Sequence, residues 1–256
     1  RWSVARGTAI VLDPKTGRIL ALAATPTFNP NSYGSVSDID VFRNYAIQAR
    51  FEPGSVFKPI TMAAGIDAGV IAPSTMYEDT GARTFGRYTI RNFDERARGV
   101  QTMTQVIEHS LNTGAVYVEE LLGHERFRDY VERFGFGRKT GVDLAGEAAG
   151  DLANLRTSRD VNFATASFGQ GIAVTPLEMA SAIGAIANGG KLMRPFVVDR
   201  IVYPDGRETI TQPAVIAEPV GREVPLLLGR PLRLRVDADG VTAQGAGGLD
   251  PLAVVL

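Results

Sequence analysis

The sequence predicts an α+β fold, in which antiparallel strand pairs and helices follow one another along the chain. Two observations support this prediction. Residues 8–12 and 18–23 are β-rich runs, and the segment DPKTG between them has the composition of a hairpin turn. Several later segments have apolar residues at helical spacing, bounded by recognisable start and stop signals. Strands and helices in such an order indicate an α+β architecture.

The first predicted helix follows a loop-like stretch, residues 25–45, that is rich in proline, asparagine and serine. It covers residues 55–68, where Val56, Ile60 and Ala63 form an apolar stripe. Pro59 lies near its first turn, where a proline costs little, and Gly69 is a suitable stop.

Further helices follow an irregular, polar stretch at residues 70–100. Thr102 with Gln105, and Thr175 with Glu178, have the spacing of capping boxes. The remaining predicted elements are helices at 113–122 and 125–134, a helix from 176 that ends at the Asn-Gly-Gly of 188–190, and a strand–turn–strand unit within 196–210.

The composition excludes several functional classes. The chain has 256 residues, 45% apolar and 21% charged, with a formal net charge of −1, so it has a core but no basic footprint for nucleic acid. It has no cysteine, and its two histidines have no partner at metal-ligand spacing, so we do not expect a metal centre. No apolar run reaches the ~18 residues of a membrane span. Because the chain begins at Arg1, we interpret it as a fragment, a processed form or an excised domain, with any membrane anchor outside it.

Ser55 and Lys58 form the first candidate catalytic pair. At i, i+3 spacing they share one face of a helix. A serine hydroxyl becomes a nucleophile only with a base within reach, and a lysine can be that base if burial lowers its pKa. The free N–H groups of a helix start can also stabilise an oxyanion. The alternative interpretation is a helix start followed by a solvated lysine.

Ser110 and Asn112 form a second candidate pair, in the chain's single S-x-N, at a junction between two predicted helices. Side chains at such a junction can project into a cleft. The alternative interpretation of both residues is helix capping.

Together with their flanking sequence, these motifs resemble the transpeptidase domain of penicillin-binding proteins, of the monofunctional class B that cross-links peptidoglycan in division or elongation. The resemblance is carried, in family order, by GTAIVLDPKTGRILALA, FEPGSVFKPITMAA, TMTQVIEHSLNTGAV, FGFGRKTGVDLAGE and SFGQGIAVTPLEMASAIGAIANGG. It covers about residues 7–207. It implies a penicillin-binding or serine β-lactamase-like fold, with an antiparallel sheet packed between helices.

The resemblance implies a role for each candidate residue. Ser55 matches the acylated nucleophile and Lys58 the base that takes its proton. Ser110 matches a hydroxyl that passes a proton onward, and Asn112 the amide that orients the substrate's peptide carbonyl. The implied reaction is acyl transfer on D-Ala-D-Ala stem peptides, and β-lactams would acylate the same serine. It would need no metal or organic cofactor.

One family motif is missing from its place. A K-T-G strand should follow the GQG segment, yet the last lysine is Lys191 and no K-T-G follows it. The two K-T-G triplets of the chain lie at 15–17, in the first hairpin turn, and at 139–141, in a predicted loop. We therefore expect residues 1–212 to form a partial transpeptidase-like domain. Residues 213–256 should be an aberrant tail that packs poorly and adds no partner to the sheet edge.

Two alternatives remain open. One is an inactive or truncated penicillin-binding remnant without the K-T-G motif, and the other is a relative that resolves the acyl-enzyme with water, as a D,D-carboxypeptidase or β-lactam hydrolase. An α/β-hydrolase is disfavoured because Ser55 does not lie in G-x-S-x-G. The resemblance further implies a location in the bacterial cell envelope, on the extracytoplasmic face of the inner membrane. The parent protein would be membrane-anchored and would work with a glycosyltransferase.

Overall fold

A computed structural model of the protein describes residues 6–221, Val224 and the backbone of 233–237 and 240–244. The predicted first hairpin is confirmed, with β1 pairing antiparallel to β2 through the register Ile10 opposite Leu22. The strands in chain order are β1 Gly7–Leu12, β2 Ile19–Thr25, β3 Met76–Asp79, β4 Ala82–Phe85, β5 Tyr88–Arg91, β6 Gly99–Thr102, β7 Leu192–Met193, β8 Arg200–Val202, β9 Glu208–Ile210, β10 Val215–Ala217, β11 Arg233–Asp237 and β12 Gly240–Gln244.

Every predicted helix is present, and two further helices, at residues 45–48 and 160–166, were not predicted. Both predicted capping boxes are present, Thr102 with Gln105 at α3 and Thr175 with Glu178 at α7. The helices are α1 Tyr45–Gln48, α2 Lys58–Asp67, α3 Met103–Glu108, α4 Asn112–Leu122, α5 His124–Arg133, α6 Asp160–Ala166 and α7 Pro176–Ala187. Among the described residues, none of these helices combines the length and apolarity needed to cross a bilayer.

The helix predicted at residues 55–68 begins later in the structure than the sequence indicated. Gly54–Phe57 form a 3₁₀ turn, and the α-helix begins only at Lys58. Pro59 explains the difference, because it has no N–H to donate to the carbonyl of Ser55. The N–H of Lys58 donates to that carbonyl instead, which closes the tighter i+3 turn.

The prediction of an irregular stretch at residues 70–100 is wrong. This region contains two antiparallel pairs, β3 with β6 and β4 with β5. Each strand has four residues, which is too short for a clear alternating pattern. Within the described part of the chain, each sheet contains two strands.

The main core lies among the helices. Helix α2 packs against α3, α4, α5 and α7. Its residues Ile60, Met62 and Ala63 are at most 1% exposed. A second cluster joins the first hairpin to the helices, where Ile10 and Leu12 pack with Leu177 of α7. The hairpin and the start of α2 are thereby fixed to one helical body.

The first residues of the expected tail, from 213 onward, also differ from their prediction. Strand β10 pairs antiparallel with β7, and Val220 and Val224 are buried in the main core. The N–H of Gly221 donates to Asp67 Oδ1 at 2.6 Å. Poor packing is therefore wrong for Val220 and Val224, whereas Val215 and Ile216 of β10 are exposed. Strands β11 and β12 pair with each other, and the remainder of the predicted tail lies outside the described residues.

Candidate active site

Ser55 lies on an exposed 3₁₀ turn that is anchored by a buried aromatic side chain. The turn begins at Gly54, whose φ is 60°. Phe57, at its end, is fully buried, and its ring lies 5.1 Å from that of Phe136. The hydroxyl of Ser55 therefore faces solvent while the turn beneath it is fixed in the core.

A second segment, residues 167–174, holds this turn from the other side. Gly54 N–H donates to the carbonyl of Gly169 at 2.9 Å, and Phe51 and Val174 exchange two backbone hydrogen bonds. Gly169 has φ of 80°, and a Cβ there would stand 2.3 Å from the carbonyl oxygen of Gly54. Only glycine fits this approach without moving the serine turn.

Lys58 is the buried cation of the site. It is 1% exposed, and its amine donates to the carbonyl of Ser110 at 2.5 Å and to Ser110 Oγ at 3.0 Å. Burial lowers the pKa of Lys58 from 10.5 to about 8. About one amine in ten is then neutral at pH 7, so this lysine can accept a proton.

Ser110 lies between α3 and α4 in a left-handed backbone conformation, with φ of 52°. It is exposed and lies two residues after the end of α3, and the next residue, Leu111, is 1% exposed and anchors the junction in the core. This geometry turns both the carbonyl and the hydroxyl of Ser110 toward Lys58. Helix capping does not explain these two contacts.

Asn112 begins α4 and is tied to β5. Its amide Nδ2 donates to the carbonyl of Arg91 at 2.8 Å. The side chain is half-buried, so it has access to the cleft while its orientation is fixed. The structure thus brings Lys58 into contact with Ser110, and Asn112 follows Ser110 by two residues at the start of α4.

A buried polar network lies behind Asn112, which the sequence did not indicate. Asp79 is 1% exposed, and its two carboxylate oxygens accept hydrogen bonds from Thr113 Oγ1 at 2.7 Å, Gly81 N–H at 2.9 Å, Asn92 Nδ2 at 3.0 Å and Arg98 N–H at 3.1 Å. Thr113 N–H donates to Asn92 Oδ1. This network, which we call the Asp79 network, fixes the start of α4 against β3 and the loop after β5.

One expected contact is not found. Among the described residues, no hydrogen bond joins the hydroxyl of Ser55 to the amine of Lys58 or to Ser110. Ser55 lies in the 3₁₀ turn and Lys58 begins the helix that follows it, and the amine of Lys58 is held by Ser110 of the S-x-N motif. Apo sites are frequently looser than the substrate complex, so the assignment of Ser55 stays a prediction.

Neither K-T-G triplet lies on a strand. Thr16 Oγ1 donates to Asp13 within the first hairpin turn. Thr140 lies in a loop, where its hydroxyl and its N–H both donate to Glu147 Oε1, at 2.5 and 2.7 Å. Both threonine hydroxyls therefore bond within their own turn or loop.

Metal binding has no structural support within the residues described. No group of three histidine, aspartate or glutamate side chains there is placed to hold an ion.

Comparison with known proteins gives a consistent result. The family described as the penicillin binding protein transpeptidase domain matches residues 7–244. Stage V sporulation protein D of Bacillus subtilis is 33% identical over 240 residues, which are 93% of this chain and 36% of that relative. A peptidoglycan D,D-transpeptidase FtsI homolog of Mesostigma viride is 34% identical over 205 residues, which are 76% of this chain and 34% of that relative.

A solved structure also resembles the fold. Penicillin binding protein 3 from Mycobacterium tuberculosis, complexed with aztreonam, superposes with a TM-score of 0.80 at 33% identity, covering 87% of this chain and 50% of that one. The chain thus spans about a third of the length of these curated relatives. The family match extends past Pro213, where we expected the resemblance to end; the domain boundary at 212 stays a prediction.

Proposed function

The chain belongs to the penicillin-binding protein transpeptidase family, and on that premise we propose that it cross-links peptidoglycan through a serine acyl-enzyme. Its substrates would be stem peptides ending in D-Ala-D-Ala, and β-lactams would acylate the same serine. The observation that carries the proposal is the buried amine of Lys58, which has a lowered pKa, contacts Ser110 and follows an exposed Ser55 by three residues.

Each candidate residue then has one role in the reaction. The neutral amine of Lys58 accepts the proton of Ser55 as Ser55 Oγ attacks the carbonyl of the penultimate D-Ala. The tetrahedral intermediate collapses, and the terminal D-Ala leaves after its nitrogen receives a proton through Ser110 Oγ. Asn112 holds the peptide carbonyl of the donor strand. The amine of a second stem peptide attacks the ester, loses its proton to the same pair and releases Ser55.

The backbone before Ser55 supports this assignment of the nucleophile. The 3₁₀ turn that carries it is held rigid by Gly169 on one side and by Phe57 on the other. A solvent-facing serine on an anchored turn, three residues before a buried amine, is suited to acyl transfer.

We further propose the setting of the parent protein. It would be anchored in the inner membrane, with this domain on the extracytoplasmic face of the bacterial cell envelope, and would work with a glycosyltransferase. The reaction as described needs no cofactor.

Labelling with a fluorescent penicillin tests the proposal. The chain should be labelled, and Ser55→Ala should abolish labelling, while Ser35→Ala, a change at another exposed serine, should leave it intact. Ser110→Ala should retain some acylation. Labelling that survives Ser55→Ala would remove the assignment of the nucleophile.

The base is tested by substitution and by pH. Lys58→Arg should reduce acylation at least 100-fold, nearly as much as Lys58→Ala, because a guanidinium does not give up its proton. Lys139→Arg, at an exposed lysine, is the matched control. In the unsubstituted chain the acylation rate should rise with pH and level off above about 8, as the amine becomes neutral. A rate that does not change between pH 6 and 9 argues against the base role of Lys58.

The absence of a strand-borne K-T-G favours the inactive remnant as the second candidate. In that case a folded chain would show no penicillin labelling at any pH. Rapid loss of the label after acylation would instead indicate hydrolysis by water.

A further inference from the structure

Glu52 lies three residues before Ser55, and its side chain reaches a distant part of the chain. Its Oε1 accepts a hydrogen bond from the N–H of Gly171 at 2.9 Å, and the two residues are 119 positions apart in sequence. Gly171 belongs to the segment 167–174, which also holds the serine turn by backbone hydrogen bonds. The mechanism proposed for the site gives Glu52 no role.

The side chain of Glu52 makes a contact that the backbone at this point cannot make. Pro53 has no N–H to donate, and within the described part of the chain the backbone of Glu52 forms no hydrogen bond. Backbone hydrogen bonds to the segment 167–174 therefore stop at Phe51 and resume at Gly54. The carboxylate of Glu52 supplies the contact between these two points.

On the facing segment, side chains hold both polar backbone groups of Gly171. Its N–H donates to Glu52, and its carbonyl accepts from Asn154 Nδ2 at 2.7 Å. Gly171 has φ of 74° and follows by two residues Gly169, whose carbonyl bonds the N–H of Gly54. Loss of the Glu52 carboxylate would therefore remove one of the two bonds of Gly171, next to the direct partner of the serine turn.

The contact between the two segments has one buried end and one exposed end. At the buried end, Thr61 Oγ1 donates to the carbonyl of Ser167 at 2.7 Å, and both residues are fully buried. Glu52 is exposed. A substitution of Glu52 therefore changes the geometry beside Ser55 without opening the core.

We propose that Glu52 is a positioning residue for acylation, whose carboxylate fixes the segment around Gly171 against the serine turn and so keeps Ser55 Oγ in line for attack. Glu52 touches no reacting atom in this role. A displacement of about 1 Å at a reacting group can reduce a rate about 10²-fold, so one hydrogen bond beside the nucleophile can have a large kinetic effect. The inference rests on the proposed function, because it assumes that Ser55 is the nucleophile.

Stopped-flow acylation by a fluorescent penicillin tests the role, because it separates the dissociation constant of the non-covalent complex from the limiting rate of acylation. Glu52→Ala should lower the limiting rate about tenfold and change the dissociation constant less than about twofold, since the position of the nucleophile matters in the chemical step. Glu52→Gln keeps an Oε1 acceptor and should acylate within about twofold of the unsubstituted rate. Glu52→Asp is one methylene shorter and should resemble Glu52→Ala.

Two controls separate position from stability. Glu125→Ala, at an exposed glutamate of α5, should leave the limiting rate unchanged. Tyr130→Phe removes the hydrogen bond from the Tyr130 hydroxyl to Asp67 Oδ2, 2.7 Å long, at the far end of α2. It should lower stability without slowing acylation. If Tyr130→Phe slows acylation as much as Glu52→Ala does, the effect is a general loss of stability and the inference is overturned.

The pH profile of the limiting rate separates position from charge. Burial is what lowers the pKa of Lys58 to about 8, so Glu52→Ala should lower the plateau of the profile and leave its midpoint near pH 8. A midpoint that moves by the same amount in Glu52→Ala and Glu52→Gln would assign to Glu52 an effect on the charge of Lys58. That result would overturn the positioning role.

Labelling of Ser55 distinguishes failure of this inference from failure of the proposed function. If the unsubstituted chain is labelled at Ser55 and Glu52→Ala acylates at the same rate, the role of Glu52 alone is rejected. If the unsubstituted chain is not labelled, or if the label persists in Ser55→Ala, the proposed function is rejected and the role of Glu52 with it.

Discussion

A buried carboxylate lies at each end of helix α4, and the two carboxylates differ in how many hydrogen bonds they accept. Asp79 bonds Thr113 at the start of the helix, and Glu119 belongs to its last two turns; both are 1% exposed. Asp79 accepts hydrogen bonds from four residues. Glu119 Oε1, in contrast, is buried with no hydrogen-bond partner among the described residues.

The groups around Glu119 do not compensate for its missing hydrogen bond. His124 Nε2 lies 3.7 Å from Oε1, too far for a hydrogen bond, and its ring stacks on Phe163. Burial, followed by the negative charges of Glu120 and Asp160, raises the pKa of Glu119 to about 8. The comparison teaches that the number of donors within reach, and not depth alone, decides whether a buried carboxylate fixes a helix end.

The largest test of this comparison is removal of the well-bonded carboxylate. Asp79→Ala should lower the free energy of unfolding by about 4 kcal/mol, because it leaves several buried donors without an acceptor. Denaturant unfolding measures the change. Glu132→Ala, at an exposed position of α5, should have little effect. A loss for Asp79→Ala as small as that of the control would contradict the role of the Asp79 network.

The second test concerns pH and Glu119. Its folded pKa of about 8 is raised above the usual 4.5, so its stabilising contribution is complete below pH 4.5 and is lost as pH rises through about 8. The expected loss from pH 5 to 8 is roughly 3 kcal/mol. Glu119→Gln should flatten this part of the stability profile, as measured by denaturant unfolding at several pH values.

If Glu119→Gln and the unsubstituted chain show the same pH profile, Glu119 is not the titrating group. A profile that rises with pH would reverse the sign of the argument.

A smaller effect is expected at Thr113, which belongs to the Asp79 network and follows the candidate site residue Asn112 in the chain. Thr113→Val keeps the shape but removes the hydroxyl donor, which should cost about 1–2 kcal/mol. It should also slow penicillin acylation, because Asn112 is its neighbour in the chain. Thr113→Ser retains the hydroxyl and should recover most of the acylation rate. Equal rates for the two variants would show that the network does not position Asn112.

The smallest effect is expected at Tyr77, at the edge of the same network. Its hydroxyl lies 3.2 Å from Thr113 Oγ1. Tyr77→Phe should cost about 0.5–1 kcal/mol, the usual net value of one hydrogen bond. A cost above that of Thr113→Val would move the centre of the network from Asp79 to Tyr77.

Local signals in the sequence predicted much of the fold. The first hairpin, both capping boxes and the helices α4 and α5 depend on residues close in sequence, and each was found within a few residues of its expected bounds. Strands β3 to β6 were missed because each contains four residues in a polar stretch. Their pairing depends on partners far along the chain, such as Met76 with Thr102.

The site was predictable to the same extent. The S-x-x-K spacing predicted that Lys58 lies one turn after Ser55, but it left open whether Lys58 is buried, as it is here. The contact of Lys58 with Ser110 joins residues 52 positions apart, and the bond of Asp79 to Thr113 joins residues 34 apart. Spacing does not encode such contacts. Nothing in the local sequence marked Asp79 as different from the exposed acids around it.

The backbone of Ser110 has a consequence for mutational tolerance. Its amine-binding carbonyl is held in place by a left-handed φ of 52°, a conformation that costs most side chains roughly 1–2 kcal/mol. In a library of all substitutions at position 110, we therefore expect function to depend first on whether the new residue tolerates this left-handed backbone conformation. Glycine and asparagine should keep the anchor for Lys58 even without the serine hydroxyl, whereas threonine keeps a hydroxyl but is β-branched and should tilt the carbonyl away. The natural variation tolerated at position 110 would then follow conformational preference before it follows side-chain chemistry.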